Sequence, residues 1–217
     1  MAELLQIYGS TFLEGFKITI YSSVLALLFS LIIGTLMAIF QLSTNKVISG
    51  LAKAYVEFFR NIPLLIIVMF FYVVLPIYWI SFDGFQAGTI GLTIYTSAFI
   101  AETVRSGIQT VPKGQTEAAL SQGFSYNQTM SLIILPQAVR TILPPLTNQV
   151  VNLIKNTSTV AIISGADIMF TAKAWAYETT NYVPAFAGAA VLYFIMCFPL
   201  ATWARRREEK NKRSYSL

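Results

Sequence analysis

Between Lys17 and Lys46 the chain carries no charged residue. Inside a bilayer every backbone amide and carbonyl must be satisfied within the protein, which leaves helices and closed barrels as the spanning structures. A helix crosses with about 20 apolar residues, and residues 18–40 meet that requirement. Four further stretches read the same way. Residues 61–80 have Pro63 near their start and Pro76 near their end, and residues 84–101 are charge-free but shorter. Residues 141–154 are more polar and open close to Pro144-Pro145, and residues 179–204 are again charge-free. The expectation is an all-α membrane protein of about five transmembrane helices.

Composition agrees. Of the 217 residues, 55% are hydrophobic and 12% charged, where soluble domains carry about a quarter charged. The net charge of +5 does not indicate nucleic acid, because the basic residues sit at the ends of apolar runs. With no histidine and only Cys197, imidazole chemistry, a Cys or His metal centre and an internal disulfide are excluded, so no metal ligands are assigned. Residues 1–14 lack the basic start and small-residue cleavage site of a signal peptide. No internal repeat is evident.

Basic residues set the direction of insertion, because Lys and Arg accumulate in cytoplasmic loops. With the C-terminus inside, the inner segments hold Lys46, Lys53, Arg60, Arg105, Lys113, Arg205, Arg206, Arg207, Lys210, Lys212 and Arg213. The outer segments hold Lys17 and Lys173, so eleven inner charges face two outer ones. An odd number of spans then puts the N-terminus outside. Residues 167–181 become an outer loop or surface helix, with Trp175 and Tyr177 near the interface. A transmembrane domain over 15–205 and a solvated basic tail over 206–217 complete the expected organisation.

The connection from Arg105 to Leu135 falls on the inner side. Residues 113–129 are too polar to span, and Glu117-Ala118-Ala119-Leu120 favour helix. Gly114 can open that helix and Gly123 can end it. Ala118 and Ala119 are small enough for close approach by a partner. An ordinary surface helix is the plain alternative, since E-A-A alone is common.

The motif Glu117-Ala118-Ala119…Gly123, followed by Ile133-Ile134-Leu135-Pro136, resembles the cytoplasmic "EAA" loop of permease subunits in ABC-type importers. The rest of the chain carries the resemblance further. Glu57-Phe58-Phe59-Arg60-Asn61-Ile62-Pro63 is similar to the segment opening the second span of polar amino-acid permeases. Ala98-Phe99-Ile100-Ala101-Glu102-Thr103-Val104-Arg105-Ser106-Gly107-Ile108, Val111-Pro112-Lys113-Gly114-Gln115, Leu135-Pro136-Gln137-Ala138 and Lys155-Asn156-Thr157-Ser158 continue the series. The family often has Gly-Thr where Asn61-Ile62 stand and Asp where Asn156 stands. Both departures bear on substrate choice.

The resemblance implies a type I ABC importer permease fold with a short cytoplasmic coupling helix, in a bacterial cytoplasmic membrane. It also implies two permease subunits, identical or homologous, two ATPase subunits, and an extracellular substrate-binding protein. The coupling residues would be Glu117, Ala118, Ala119 and Gly123. The chain has no G-x-x-x-x-G-K-[ST] phosphate loop, so it needs no cofactor itself and ATP would be bound by the ATPase.

Polar residues within apolar runs are candidates for the path. Asn148, Asn152 and Asn156 recur every four residues and share a helix face. Lys155 beside them could hold an amino-acid carboxylate, and the helix-weak run Asn156-Thr157-Ser158 suggests a break beside a cavity. Asn61 joins this list through its place in the motif. The alternative is that the stripe is packing glue between helices and Lys155 snorkels to an interface. Glu57–Arg60 and Glu102–Arg105, both spaced i,i+3, read first as structural anchors and secondly as an inner gate or ATPase contact. A small channel or a structural membrane subunit without an ATPase partner fits the spans but not the combined motifs. A membrane-embedded enzyme lacks paired intramembrane carboxylates.

Overall fold

The computed structural model describes the backbone of residues 2–215 and the side chains of residues 9–209. All its regular structure is helical among the described residues. The first helix, α1 (Ala2–Gln41), is followed by α2 (Lys46–Asn61), α3 (Leu64–Met69), α4 (Leu75–Tyr78) and α5 (Gly84–Gln109). Then come α6 (Lys113–Ser121), α7 (Tyr126–Thr129), α8 (Leu135–Asn156), α9 (Ile168–Thr179) and α10 (Tyr182–Tyr215).

By length and apolarity three helical stretches can cross a membrane, Gly9–Gln41, Tyr126–Ile163 and Tyr182–Glu209. The pair Lys46–Asn61 and Leu64–Tyr78 makes a fourth if counted as one bent span. The remaining expected span, α5, is 26 residues long, or about 39 Å at 1.5 Å per residue. Its glycines and hydroxyl residues reduce its apolarity, and half of its residues are buried. It is the central helix against which α1, α2, α3 and α8 pack.

The α1–α5 crossing depends on small side chains. Ser22, Ala26, Ser30, Gly34 and Ala38 recur every fourth residue of α1, and all are buried. Helices in lipid associate through such close backbone approach and interhelical hydrogen bonds. At Gly34 a Cβ would lie 2.7 Å from the Ser97 carbonyl oxygen and 2.7 Å from Ile100 Cγ2. Ser30 Oγ donates to the Thr93 carbonyl at 2.9 Å, and the Ser22 and Thr89 hydroxyls are 3.1 Å apart.

Two prolines explain two irregular turns. Phe70–Val74 and Met130–Ile134 are π-helical, and each is followed by Leu-Pro, Leu75-Pro76 and Leu135-Pro136. Proline lacks an N–H and its ring collides with the carbonyl four residues back. A π turn inserts one residue and widens the backbone there. The Leu75 and Leu135 amides accordingly reach back five residues, to the Phe70 and Met130 carbonyls. The fourth span starts well before residue 141, and Pro144-Pro145 lie inside α8 rather than near its start.

The chain turns 104° between α2 and α3. The segment 167–181 also differs from expectation. It is a helix, α9, but Trp175 is only 5% exposed and packs edge-to-face on Phe12 with ring centroids 5.6 Å apart. Tyr177 remains exposed. Asp167 caps α9 by accepting from the Phe170 amide at 3.0 Å, and its other carboxylate oxygen accepts from Tyr193 Oη at 3.0 Å. The same Tyr193 hydroxyl lies 3.1 Å from Thr157 Oγ1, and Thr19 Oγ1 accepts from the Ile168 amide at 3.1 Å. This buried polar cluster ties together α1, the turn after α8, α9 and α10. At the C-terminus α10 continues through residue 206 without a break, and residues 216–217 of the expected tail lie outside the described residues.

Candidate substrate cavity and coupling helix

A recess of about 240 Å³ lies between α5 and α8. Tyr95, Thr96 and Phe99 line it from α5, and Gln149, Asn152, Leu153 and Asn156 from α8. On α5 the recess lies near mid-helix and on α8 it lies at the last turns, and Asn152 on its wall is exposed. Its polar groups are three carboxamides and hydroxyls, and its walls include two aromatic rings whose centroids are 4.9 Å apart.

The expected asparagine stripe divides here. Asn152 and Asn156 line the recess, while Asn148 does not. Gln149 takes its place, three residues before Asn152 and seven before Asn156. That spacing also defines one helix face, so Gln149 belongs to the stripe by an i,i+3 step as Asn156 does by an i,i+4 step. Lys155 is exposed in the last turn of α8, on the Asn148 side of Asn152. A lysine there complements the negative end of the helix. Ser158 Oγ donates to the Lys155 carbonyl at 2.8 Å. Thr157 parts from the others: it is 1% exposed and its hydroxyl serves the Ile154 carbonyl and Tyr193 inside the subunit. The expected helix break takes the form of a tighter 3-10 stretch, Thr157–Ile163, which ends at a left-handed Ser164. Asn61 is exposed at the α2–α3 corner, with its amide donating to the Glu57 carbonyl at 2.7 Å.

The charged residues regroup. Glu102 and Arg105 pair as expected, through two hydrogen bonds of 2.6 and 3.0 Å. Glu57 instead accepts from Asn61 at 3.3 Å, and Arg60 turns to Glu102 at 3.7 Å. Arg60 also stands 5.5 Å from the centroid of Phe99, the ring that lines the recess. Its Nε is buried without an acceptor among the described residues. Glu102 therefore sits between two guanidiniums from two helices, directly beneath one wall of the recess.

The polar segment between α5 and α8 that carries Glu117-Ala118-Ala119 forms α6. Its first residue follows Pro112 rather than being opened by Gly114. It closes in a Schellman motif: the Phe124 amide bonds the Ala119 carbonyl at 3.2 Å and the Gly123 amide bonds the Leu120 carbonyl at 3.0 Å. Gly123 supplies the required left-handed backbone, with φ of +86°. The two alanines differ, since Ala119 is buried against its own subunit and Ala118 is exposed together with Glu117, Leu120 and Gly123.

The chain belongs to the family described as binding-protein-dependent transport system inner membrane component, whose model matches residues 30–212. It is an ABC importer permease of the amino-acid type. It is 45% identical over 206 residues to the Bacillus subtilis "Probable glutamine ABC transporter permease protein GlnM", covering 95% of each chain. It is 37% identical to the Rickettsia bellii "Putative glutamine transport system permease protein GlnP", covering 91% of each. The fold matches a crystal structure of an amino acid ABC transporter with histidines, at a TM-score of 0.89 and 31% identity, over 95% of this chain and 96% of that one. An inward-facing MetNI methionine ABC transporter shares the fold at a TM-score of 0.69 and 18% identity, over 95% of this chain and 99% of that one.

Proposed function

We propose that this chain forms the translocation path of an ATP-driven importer for a polar neutral amino acid such as glutamine, with an acidic relative such as glutamate as second choice. The observation that carries the reading is the uncharged lining of the α5–α8 recess, where Gln149, Asn152 and Asn156 face Tyr95 and Phe99. A cationic side chain buried there would lack a counter-charge, which is costly. Carboxamides can both donate to and accept from a side-chain amide. Lys155 does not line the recess, and its reading as the partner of the substrate carboxylate rests on its place one residue before Asn156. The naming of the Bacillus and Rickettsia relatives as glutamine permeases supports the same cargo.

Glu117, Ala118 and Gly123 on the exposed side of α6 form the docking surface for an ATPase subunit, with Ala119 anchoring the helix from beneath. The working complex then holds a second permease, identical or homologous, two ATPase subunits that bind the ATP, and an external binding protein. The Arg60–Glu102–Arg105 cluster closes the path on the inner side of the recess. The N-terminus lies outside and the C-terminus inside.

The test is uptake by the reconstituted complex. Asn156→Asp, alone and with Gln149→Glu, should shift preference from glutamine toward arginine or lysine. Lys155→Met should raise the glutamine concentration for half-maximal uptake about tenfold, the cost of one mispaired charged contact. Unchanged selectivity and affinity in all three variants would place the discriminating site elsewhere.

A further inference from the structure

A second, larger hollow of about 780 Å³ lies at the inner end of the bundle, unconnected in its lining with the polar recess. Its walls are apolar, among them Ile39 of α1, Val104 and Ile108 of α5 and Met130 of the second π turn. Thr35, Ser43, Thr44 and Tyr126 provide its hydroxyls, and no carboxylate lines it. We propose that this hollow binds one anionic phospholipid of the cytoplasmic leaflet, with an acyl chain along the apolar walls and the headgroup beside Ser43, Thr44 and Lys46. The leaflet assignment rests on the orientation proposed above.

Three observations select this occupant. The first is direction. Nine residues, or two and a half helical turns, separate Tyr95 from Val104 and Phe99 from Ile108. The hollow therefore opens on the side of α5 opposite the polar recess, away from the path a second permease would share. The second is continuity. Ile32, Leu36 and Ile39 form an exposed apolar stripe along α1 that runs into the hollow. The third is charge. Lys46 is exposed and opens α2 two residues after Thr44, where a lysine beside an anionic membrane surface is attracted to headgroups. Tyr126 and Met130 connect this site to the coupling segment, since they follow Gly123 within one short stretch of chain. An occupied hollow would brace that segment against α1 and α5.

The test uses the full chain, purified in mild detergent from membranes and examined by native mass spectrometry after exchange with phosphatidylglycerol or phosphatidylcholine. Wild type should retain one phosphatidylglycerol per chain. Ile108→Trp and Val104→Phe, which fill the hollow, should each lose it. Val183→Trp, at 81% exposure on α10, which contributes nothing to the hollow, should keep it. Lys46→Gln should lower the preference for phosphatidylglycerol over phosphatidylcholine about fivefold, the loss expected for one lysine beside an anionic surface. Equal retention in wild type and both filling variants, no preference between the two lipids in wild type, or a protein segment retained there in place of lipid would each overturn the proposal. Because lipid retention is measured without transport, it stands or falls separately from the substrate reading.

Discussion

Gly123 holds a backbone φ of +86°, and a Cβ added there would meet nothing within 4 Å in this subunit. Its conformational role and any role as empty space for a partner can therefore be separated by substitution. An L-residue in the left-handed region costs about 1–2 kcal/mol, which asparagine partly escapes. Gly123→Asn should preserve the end of α6 better than Gly123→Ala. If uptake follows that order at equal membrane levels, backbone shape is what the ATPase contact needs. If both variants abolish uptake alike, the missing side chain itself is required, because the partner's surface fills the space. Arg60 presents the complementary case. Its position beside Arg105 at Glu102 was not visible from the i,i+3 spacing that paired it with Glu57. Local spacing lists which neighbours are reachable, and the helix crossing decides among them.

The buried cluster at α9 joins four elements, with the Asp167 carboxylate bonding α9 and α10 directly. Tyr193→Phe removes the hydroxyl that donates to Asp167 and reaches Thr157. A lost hydrogen bond to a buried carboxylate costs about 1–3 kcal/mol, so the thermal midpoint of the purified chain should fall. Thr157→Val leaves the Tyr193–Asp167 bond in place and should lower it less. A larger loss in Thr157→Val would move the weight of the cluster to the 3-10 turn. Elements were legible in the sequence where a chemical signal marked them. Gly123 marks the end of α6, although its start lies after Pro112 rather than at Gly114, and the charge-free run delimits most of α1. The four-residue repeat Ser22, Ala26, Ser30, Gly34, Ala38 was present too, but small residues do not distinguish a helix crossing from mere lack of bulk. The depth of Trp175 had no sequence signal at all. An indole suits both a lipid interface and an edge-to-face seat on Phe12, and only the docking of α9 against α1 decides.

At the scale of the whole molecule, the proposed orientation can be checked by labelling from either side. In a Cys197→Ala background, Ser10→Cys should react with an impermeant thiol reagent from outside and Arg206→Cys from inside. Reaction of both from one face would contradict it. The route from α6 to the polar recess passes through the π turn at Met130–Ile134. A π turn is an α-helix with one residue too many, so it is a phase offset as much as a kink. The direction in which α6 presents Glu117 and Ala118 is timed by that single residue relative to the face carrying Gln149, Asn152 and Asn156. Deleting Ser131 would restore the α period and advance everything before it by about 100° around the α8 axis. Such a chain should still insert in the membrane and keep its polar recess, while its E-A-A face points away from the ATPase. Inserted protein with ATPase activity no longer stimulated by loaded binding protein is the expected result.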